Sequence, residues 1–433
     1  MAINTEVKFL LDNILNSICE YLHVPRRRNH IIRIHTKKLE LLGEISFPLN
    51  IKNWHSIIDQ KNEDLITIID HIAVNQSLSN ISQTTLESFI THLKCESQNW
   101  GVSVNNVKII KDNVHFYFKK PIAFCKTIHD CLSMGQSYGA IEQGPKVLFH
   151  IFNEEQYCDN SAEMTLTHLR LITLKKVAQK LTEFKLNPLQ DSNNIEMKLT
   201  TKRNSDTDIL CGNVLNENGK KDSTTSAEEL IRKRSADMRL MAEHKYGLRV
   251  KSSELWKEYF EKLGVASVTI ELLQNKPHKN VKVSLNDLSS VNKGASFIFY
   301  NCARLSTLFK EFEKRVNDGI YPQLTSLHNV DFSLLNQPEE WELLYVYIMQ
   351  YPFMIRSCIQ DIDKGIVNPH YLVSFLSNMC SVFSVYYRRI RILVAPKQHL
   401  IPTLNARIYL LRSLENVFHK SLELLNIDPI KEM

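Results

Sequence analysis

Apolar residues recur at three- and four-residue spacing through much of the chain, a pattern that predicts helices. Leu11, Ile14, Leu15, Ile18 and Leu22 mark the first, and Pro25 ends it. The stretch 164–184 carries a second, with Leu166, Leu169, Ile172, Leu174, Val177 and Leu181 on its apolar positions. From about residue 295 three long stripes dominate. Ile298, Cys302, Leu305, Phe309 and Phe312 form one, Tyr371, Phe375, Met379, Val382 and Tyr386 another. The last, from Leu404 through Ile408, Leu411, Leu414, Phe418 and Leu422 to Leu425, follows the 3.6-residue period closely. Pro352 interrupts the apolar run between the first two and predicts a break one residue earlier. Only 104–118 reads differently: VSVNNVKII and NVHFYF, joined by Lys-Asp-Asn, predict a β-hairpin. Over 186–235 large apolar residues thin out among Asn, Ser, Asp, Thr and Lys, which predicts a polar linker.

The expected fold class is therefore α+β. A small N-terminal α/β module spans 1–135, a middle region spans 136–290 with the linker inside it, and an all-α helical bundle spans 291–433. The length of 433 residues fits this, at roughly 100–200 residues per domain. With 43% apolar and 23% charged residues a packed core is expected throughout the rest. No apolar stretch approaches the ~18 residues of a membrane span, and the first residues lack a basic segment followed by an apolar run. The nine cysteines include no CxxC pair, so neither structural zinc nor a disulfide framework is expected, and the cytoplasm is the expected location. The charge of +6 allows a polyanionic partner without requiring one. There is no HExxH, GxSxG or Walker loop and no glycine-rich cofactor loop; no metal and no cofactor are expected.

Chemistry is concentrated in the C-terminal helices. At 100° per residue the core stripe Ile298–Phe312 occupies an arc of about 80°, and Phe297, Tyr300 and Arg304 fall on another, more than about 100° away. A ring one turn from a guanidinium suits an unpaired RNA loop, which is bound by stacking and by phosphate or base-edge contacts. The alternative is that Tyr300 packs on a neighbouring helix and Arg304 pairs with a carboxylate. Tyr386, Tyr387, Arg388, Arg389 and Arg391 form a similar cluster, which either reads nucleic acid or complements a helix C-terminus. The basic run Arg26–Arg28 reads as a solvated turn.

Two segments carry a resemblance. FIFYNCARLSTLF (297–309) resembles the YxQYAHAR segment that opens the anticodon-binding domain of arginyl-tRNA synthetases. NARIYLLRSLENVFHKSLELLNIDPIKEM (405–433) resembles that domain's end, where a helix runs into a leucine-rich turn and a terminal Met. This is the DALR anticodon-binding domain, over about 291–433. Upstream, residues 1–135 are similar to the synthetases' additional N-terminal domain. MTLTHLRLITLKKVAQKL stands where their HIGH motif and following helix would be, but only His168, Leu169 and Arg170 match. Thr165 replaces the first His. Thr167 replaces the Gly that lets adenine lie against the backbone. Of the second ATP motif only Lys220 and Lys221 survive, about fifty polar residues further on. A nucleotide fold needs buried strands and helices between these motifs, and none are expected there. The middle region thus reads as an eroded, nucleotide-binding-like remnant.

YNCARLSTLF followed by DFSLL (331–335) is similar specifically to the DALR anticodon-binding domain-containing protein 3 family. That resemblance implies a non-catalytic tRNA-binding adaptor, which recruits arginine tRNAs to a tRNA 3-methylcytidine methyltransferase, with no role at membranes or on DNA. It places anticodon-loop contacts at Phe297, Tyr300, Arg304, Tyr387 and Met433, with Arg388 beside them. Phe297 keeps the ring of the synthetases' Tyr and drops its hydroxyl. The competing expectation is a divergent arginine–tRNA ligase.

Overall fold

The computed structural model describes residues 9–25, 31–58, 65–75, 86–152, 163–187, 194–203, 205–244, 254–285 and 294–430. Arg26–Arg28 and Met433 lie outside the described residues, as do 188–193 and 204 of the expected linker.

The N-terminal part is an antiparallel sheet flanked by helices. Strands β1 (Arg33–Ile34), β2 (Ile45–Pro48), β3 (Val104–Ile110) and β4 (Asn113–Phe118) lie in the order β1-β2-β4-β3. The predicted hairpin is β3–β4. Its two-residue turn puts Lys111 and Asp112 at φ 49° and 58°, matching the twist of the strands it joins. Period-two alternation sends Ile45, Phe47, Val107, Val114 and Phe116 to the buried face. There they meet Leu11, Ile14 and Ile18 of α1 (Leu10–Tyr21) in one apolar core. The smaller helices are α2 (Leu39–Leu42), α3 (Ile68–Asn75) and α4 (Leu86–Glu96), of which α4 packs on β3. Helix α5 (Lys120–Met134) carries the chain away, with Phe124 and Ile128 buried.

The middle region corrects the sequence expectation. β5 (Val147–Ile151), α6 (Leu166–Glu183) and β6 (Ile195–Thr200) make a β-α-β unit whose strands pair in parallel, and β7 (Ile209–Leu210) adds a third parallel strand. β8 (Val214–Leu215) pairs with β9 (Val281–Lys282). Between them runs a hairpin of α7 (Ala227–His244) and α8 (Glu254–Leu273). Much of 186–235 is thus folded. Met197, Leu199, Ile209, Cys211 and Val214 are buried, one or two in each short strand and Cys211 just after β7. Strands this short need few apolar residues, which average away in a fifty-residue window.

The C-terminal part is helical, as expected. α9 (Ala295–Asn317) buries its predicted stripe from Ile298 to Phe312. α10 (Pro338–Glu342) runs into a π-helical turn at Leu343–Met349, and the chain restarts at α11 (Tyr351–Ile359), whose first turn holds Pro352. The break therefore falls where proline cannot continue a helix but can begin one. α12 (Pro369–Arg389) departs from its predicted stripe: Tyr371 is 39% exposed, while Leu372, Leu376 and Phe383 turn inward. α13 (Ile401–Leu424) buries its predicted stripe.

This bundle packs directly on the N-terminal sheet. Buried Glu44 accepts hydrogen bonds from the Phe118 backbone N–H at 2.7 Å and the Trp341 indole at 2.9 Å. The Tyr345 hydroxyl donates to the Glu44 carbonyl at 2.8 Å. Arg356 donates to both oxygens of buried Asp12, at 2.9 and 2.8 Å. No helix among the described residues is long and apolar enough to cross a membrane.

Candidate nucleic-acid interface

On α9, Phe297, Tyr300 and Arg304 share one face by their three- and four-residue spacing, and all three are half-buried. Helix α12 brings its last turn alongside. The Arg304 guanidinium lies 4.3 Å from the Tyr300 ring centre and 4.8 Å from that of Tyr387. One cation is thus held between two aromatic rings contributed by two helices, a contact worth about 0.5–2 kcal/mol. Its one hydrogen bond among the described residues is long, 3.5 Å from Nη1 to Oδ1 of Asn301. Asn301 is itself buried and anchored, its side-chain amide donating to the Phe297 carbonyl at 2.8 Å. Among the described residues no carboxylate pairs with Arg304. The in-plane N–H groups of the guanidinium keep most of their donor capacity.

The second cluster separates into two kinds. Tyr386 is fully buried, and its hydroxyl donates to Glu340 at 2.9 Å. Arg407 pairs with the same carboxylate at 2.9 Å, and Arg389 pairs with Glu339. Arg391 donates to the Leu393 carbonyl at 3.4 Å. That leaves Tyr387, 38% exposed and edge-on to Phe383 at 5.9 Å, and exposed Arg388. Both lie at the end of α12, Tyr387 against Arg304 and Arg388 where a cation complements the helix C-terminus. Asn301 carries no signal in the resemblance; its three-residue spacing from Arg304 was the only clue.

The end of α6 is arranged in the opposite sense. Thr165 caps the helix, its hydroxyl accepting from the His168 N–H at 3.3 Å. Thr167 is buried and its hydroxyl accepts from the Val214 N–H at 3.1 Å. The Met164 carbonyl accepts from the Ala227 N–H, and Thr165 bridges Ser226. His168 is buried. The first turn of α6, which would face a nucleotide, is therefore covered by the chain at 214 and 226–227.

Arg170, 1% exposed, is a bolt beneath this turn. It donates to the carbonyls of Leu272, Gly212 and Lys279 at 3.0, 2.7 and 2.7 Å. Burial lowers its pKa. Glycine is required at 212, since a Cβ there would lie 2.5 Å from the Lys279 carbonyl carbon. Lys220 and Lys221 are exposed on the turn after β8, where the Asn216 N–H donates to the Lys220 carbonyl. Thr165 and Thr167 thus contact the chain at 226 and 214, and exposed Lys221 bridges Leu215 of β8.

The fold and these two sites define a class: an arginyl-tRNA synthetase-like α+β frame ending in a DALR anticodon-binding domain. The family model for the DALR anticodon binding domain matches residues 298–433. The chain is homologous to the DALR anticodon-binding domain-containing protein 3 of Danio rerio, at 31% identity over 218 residues, 48% of this chain and 39% of that protein. It spans about two fifths of the length of the curated relatives it matches. An arginine–tRNA ligase of Thermococcus sibiricus is 26% identical over 184 residues, 42% of this chain and 26% of that protein. The solved arginyl-tRNA synthetase of Thermus thermophilus shares the fold with a TM-score of 0.61 at 9% identity, covering 96% of this chain and 99% of that one.

Proposed function

We propose that this chain binds arginine tRNA through the anticodon loop, does not aminoacylate it, and presents it to a tRNA 3-methylcytidine methyltransferase. The observation that carries the reading is the Tyr300–Arg304–Tyr387 sandwich on the DALR domain. An unstacked base extends such a stack on the open side of Tyr387, and the guanidinium edge meets a phosphate or base edge. Arg388 adds a phosphate contact and Phe297 a further apolar surface. Met433, the residue matched to the family's terminal contact, joins the proposal by resemblance alone. Thr167 and the covered turn of α6 argue against an ATP-dependent step.

The test is binding of an arginine tRNA across a salt series, in parallel with arginine-dependent ATP–pyrophosphate exchange. Salt-sensitive binding without exchange is the expected result. Robust exchange would establish the ligase instead, and absence of tRNA binding would remove the adaptor.

A further inference from the structure

The turn at 274–280, between α8 and β9, is bonded along its inner side. Arg170 donates to the Lys279 carbonyl at 2.7 Å and, at 3.5 Å, to that of Lys276. The Gly212 N–H donates to the Pro277 carbonyl at 2.8 Å, and the Lys279 N–H closes the turn on the Lys276 carbonyl at 2.9 Å. With the backbone drawn inward, the side chains of Lys276, His278 and Lys279 are left exposed. Helix α12 packs on α8 and α6, and its first turn brings His370 into the same corner. His370 is only 8% exposed, yet neither ring nitrogen has a hydrogen-bond partner among the described residues. A buried polar ring left without a partner is uncommon and marks unmet hydrogen-bonding capacity.

The charges gathered here are of one sign. Burial lowers the His278 pKa, and Lys276, Lys279 and Arg170 push it down further. Burial, Lys276 and His278 together hold His370 down to about 4. Among the described residues no carboxylate pairs with Lys276 or Lys279, and Glu271, the nearest in sequence, is held by Arg234 at 2.9 Å. Cations collected without a counter-charge repel one another and attract an anion from outside. The turn offers no aromatic ring for a base, and its Pro277 is buried, so no apolar surface is left for a peptide. Phosphate, bound by charge without regard to sequence, suits it best. His370 and Tyr387 stand at opposite ends of one helix, about 26 Å apart at 1.5 Å per residue. A base stacked at Tyr387 does not carry its own phosphate that far, so the turn meets another stretch of the same RNA. Between them the exposed face of α12 presents Ser374, Asn378 and Ser381, none of which repels a phosphate backbone. We infer that Lys276, His278 and Lys279, with His370 behind them, form a second phosphate-binding site that holds the stem of the bound tRNA. This site rests on the tRNA-binding proposal above and extends it beyond the loop.

The test is binding of a fluorescent arginine tRNA to the full chain across a salt series, for the parent and three charge reversals. Lys276→Glu and Lys279→Glu should each weaken binding about fivefold or more and make the log–log salt dependence shallower by about one. Lys262→Glu, the same charge change on an exposed residue of α8, should stay within about twofold. All three side chains are exposed, so the urea midpoints should match the parent's. Equal losses in all three variants would reduce the effect to net charge and overturn the site, as would unchanged affinity in Lys276→Glu and Lys279→Glu. Either result, with the parent binding tRNA, leaves the anticodon surface standing. A parent chain that binds no tRNA would overturn the adaptor and this site together.

Discussion

Arg170 and Arg304 are chemically identical side chains in one frame, and they meet opposite environments. Arg170 is sealed beneath α6 with three short hydrogen bonds to backbone carbonyls. Arg304 is half-buried against two tyrosine rings, and its one hydrogen bond among the described residues is the long one to Asn301. A donor satisfied inside the protein contributes to the fold and cannot also serve a ligand. One left with spare capacity at a surface can. On the proposed reading, the end that would hold ATP has become structure, and the end that would hold RNA has stayed open.

The largest expected effect of breaking this contrast is on stability. Arg170→Met should destabilise the protein by about 3–5 kcal/mol in urea unfolding, because buried carbonyls lose their donor. A loss below about 1 kcal/mol would mean the bolt is not needed. A second effect belongs to the same buried class. Burial raises the Glu44 carboxyl from 4.5 to about 7, partly offset by its Phe118 and Trp341 hydrogen bonds. The folded protein then holds a proton that the unfolded chain releases between those values, so stability falls as pH rises through that window. The expected loss between pH 5 and 8 is roughly 1–3 kcal/mol. Glu44→Gln should remove Glu44's share; Glu415, also raised to about 7 by burial, titrates in the same window. An unchanged profile in the variant would contradict the assignment.

Effects at the open end should appear in binding rather than stability. Arg304→Ala should weaken tRNA binding by about 1–3 kcal/mol, with the urea midpoint nearly unchanged. Tyr387→Ala should cost about 1–2 kcal/mol of binding, and Tyr387→Phe, which keeps the ring, should stay within about 0.5 kcal/mol. If Phe were as damaging as Ala, the hydroxyl and not the stack would carry the contact. The smallest effect is a null one. Thr167→Gly restores the family residue but not the cleft, so ATP–pyrophosphate exchange should remain at the no-protein baseline; any appearance of exchange would reopen the ligase reading.

How much of this was visible before folding follows from the range of the interactions. Stripes at 3.6-residue spacing report burial on a single helix, so α9 and α13 were readable, and the Lys111–Asp112 turn and Pro352 act locally. The strands β6 to β8 were not readable. Each is buried by neighbours distant in sequence and offers too few apolar residues to stand out against polar flanks. Tyr371 was misplaced because a three- or four-residue spacing fits two adjacent arcs of α12. At the site, Phe297, Tyr300 and Arg304 could be aligned from spacing, and Tyr387 stood out in the 386–391 cluster, with its role as a loop contact supplied by resemblance. The meeting of Tyr387 with Arg304 depends on how two helices cross, which no local pattern encodes. Asn301 and the carbonyl partners of Arg170 were invisible for the same reason.

The central claim is most directly tested by ultraviolet crosslinking of an arginine tRNA to the full chain, with the joined peptides and nucleotides identified by mass spectrometry. Crosslinks from Tyr387 or Tyr300 to anticodon-loop nucleotides are the predicted result. Crosslinks confined to other surfaces, with both tyrosines untouched under saturating tRNA, would contradict it.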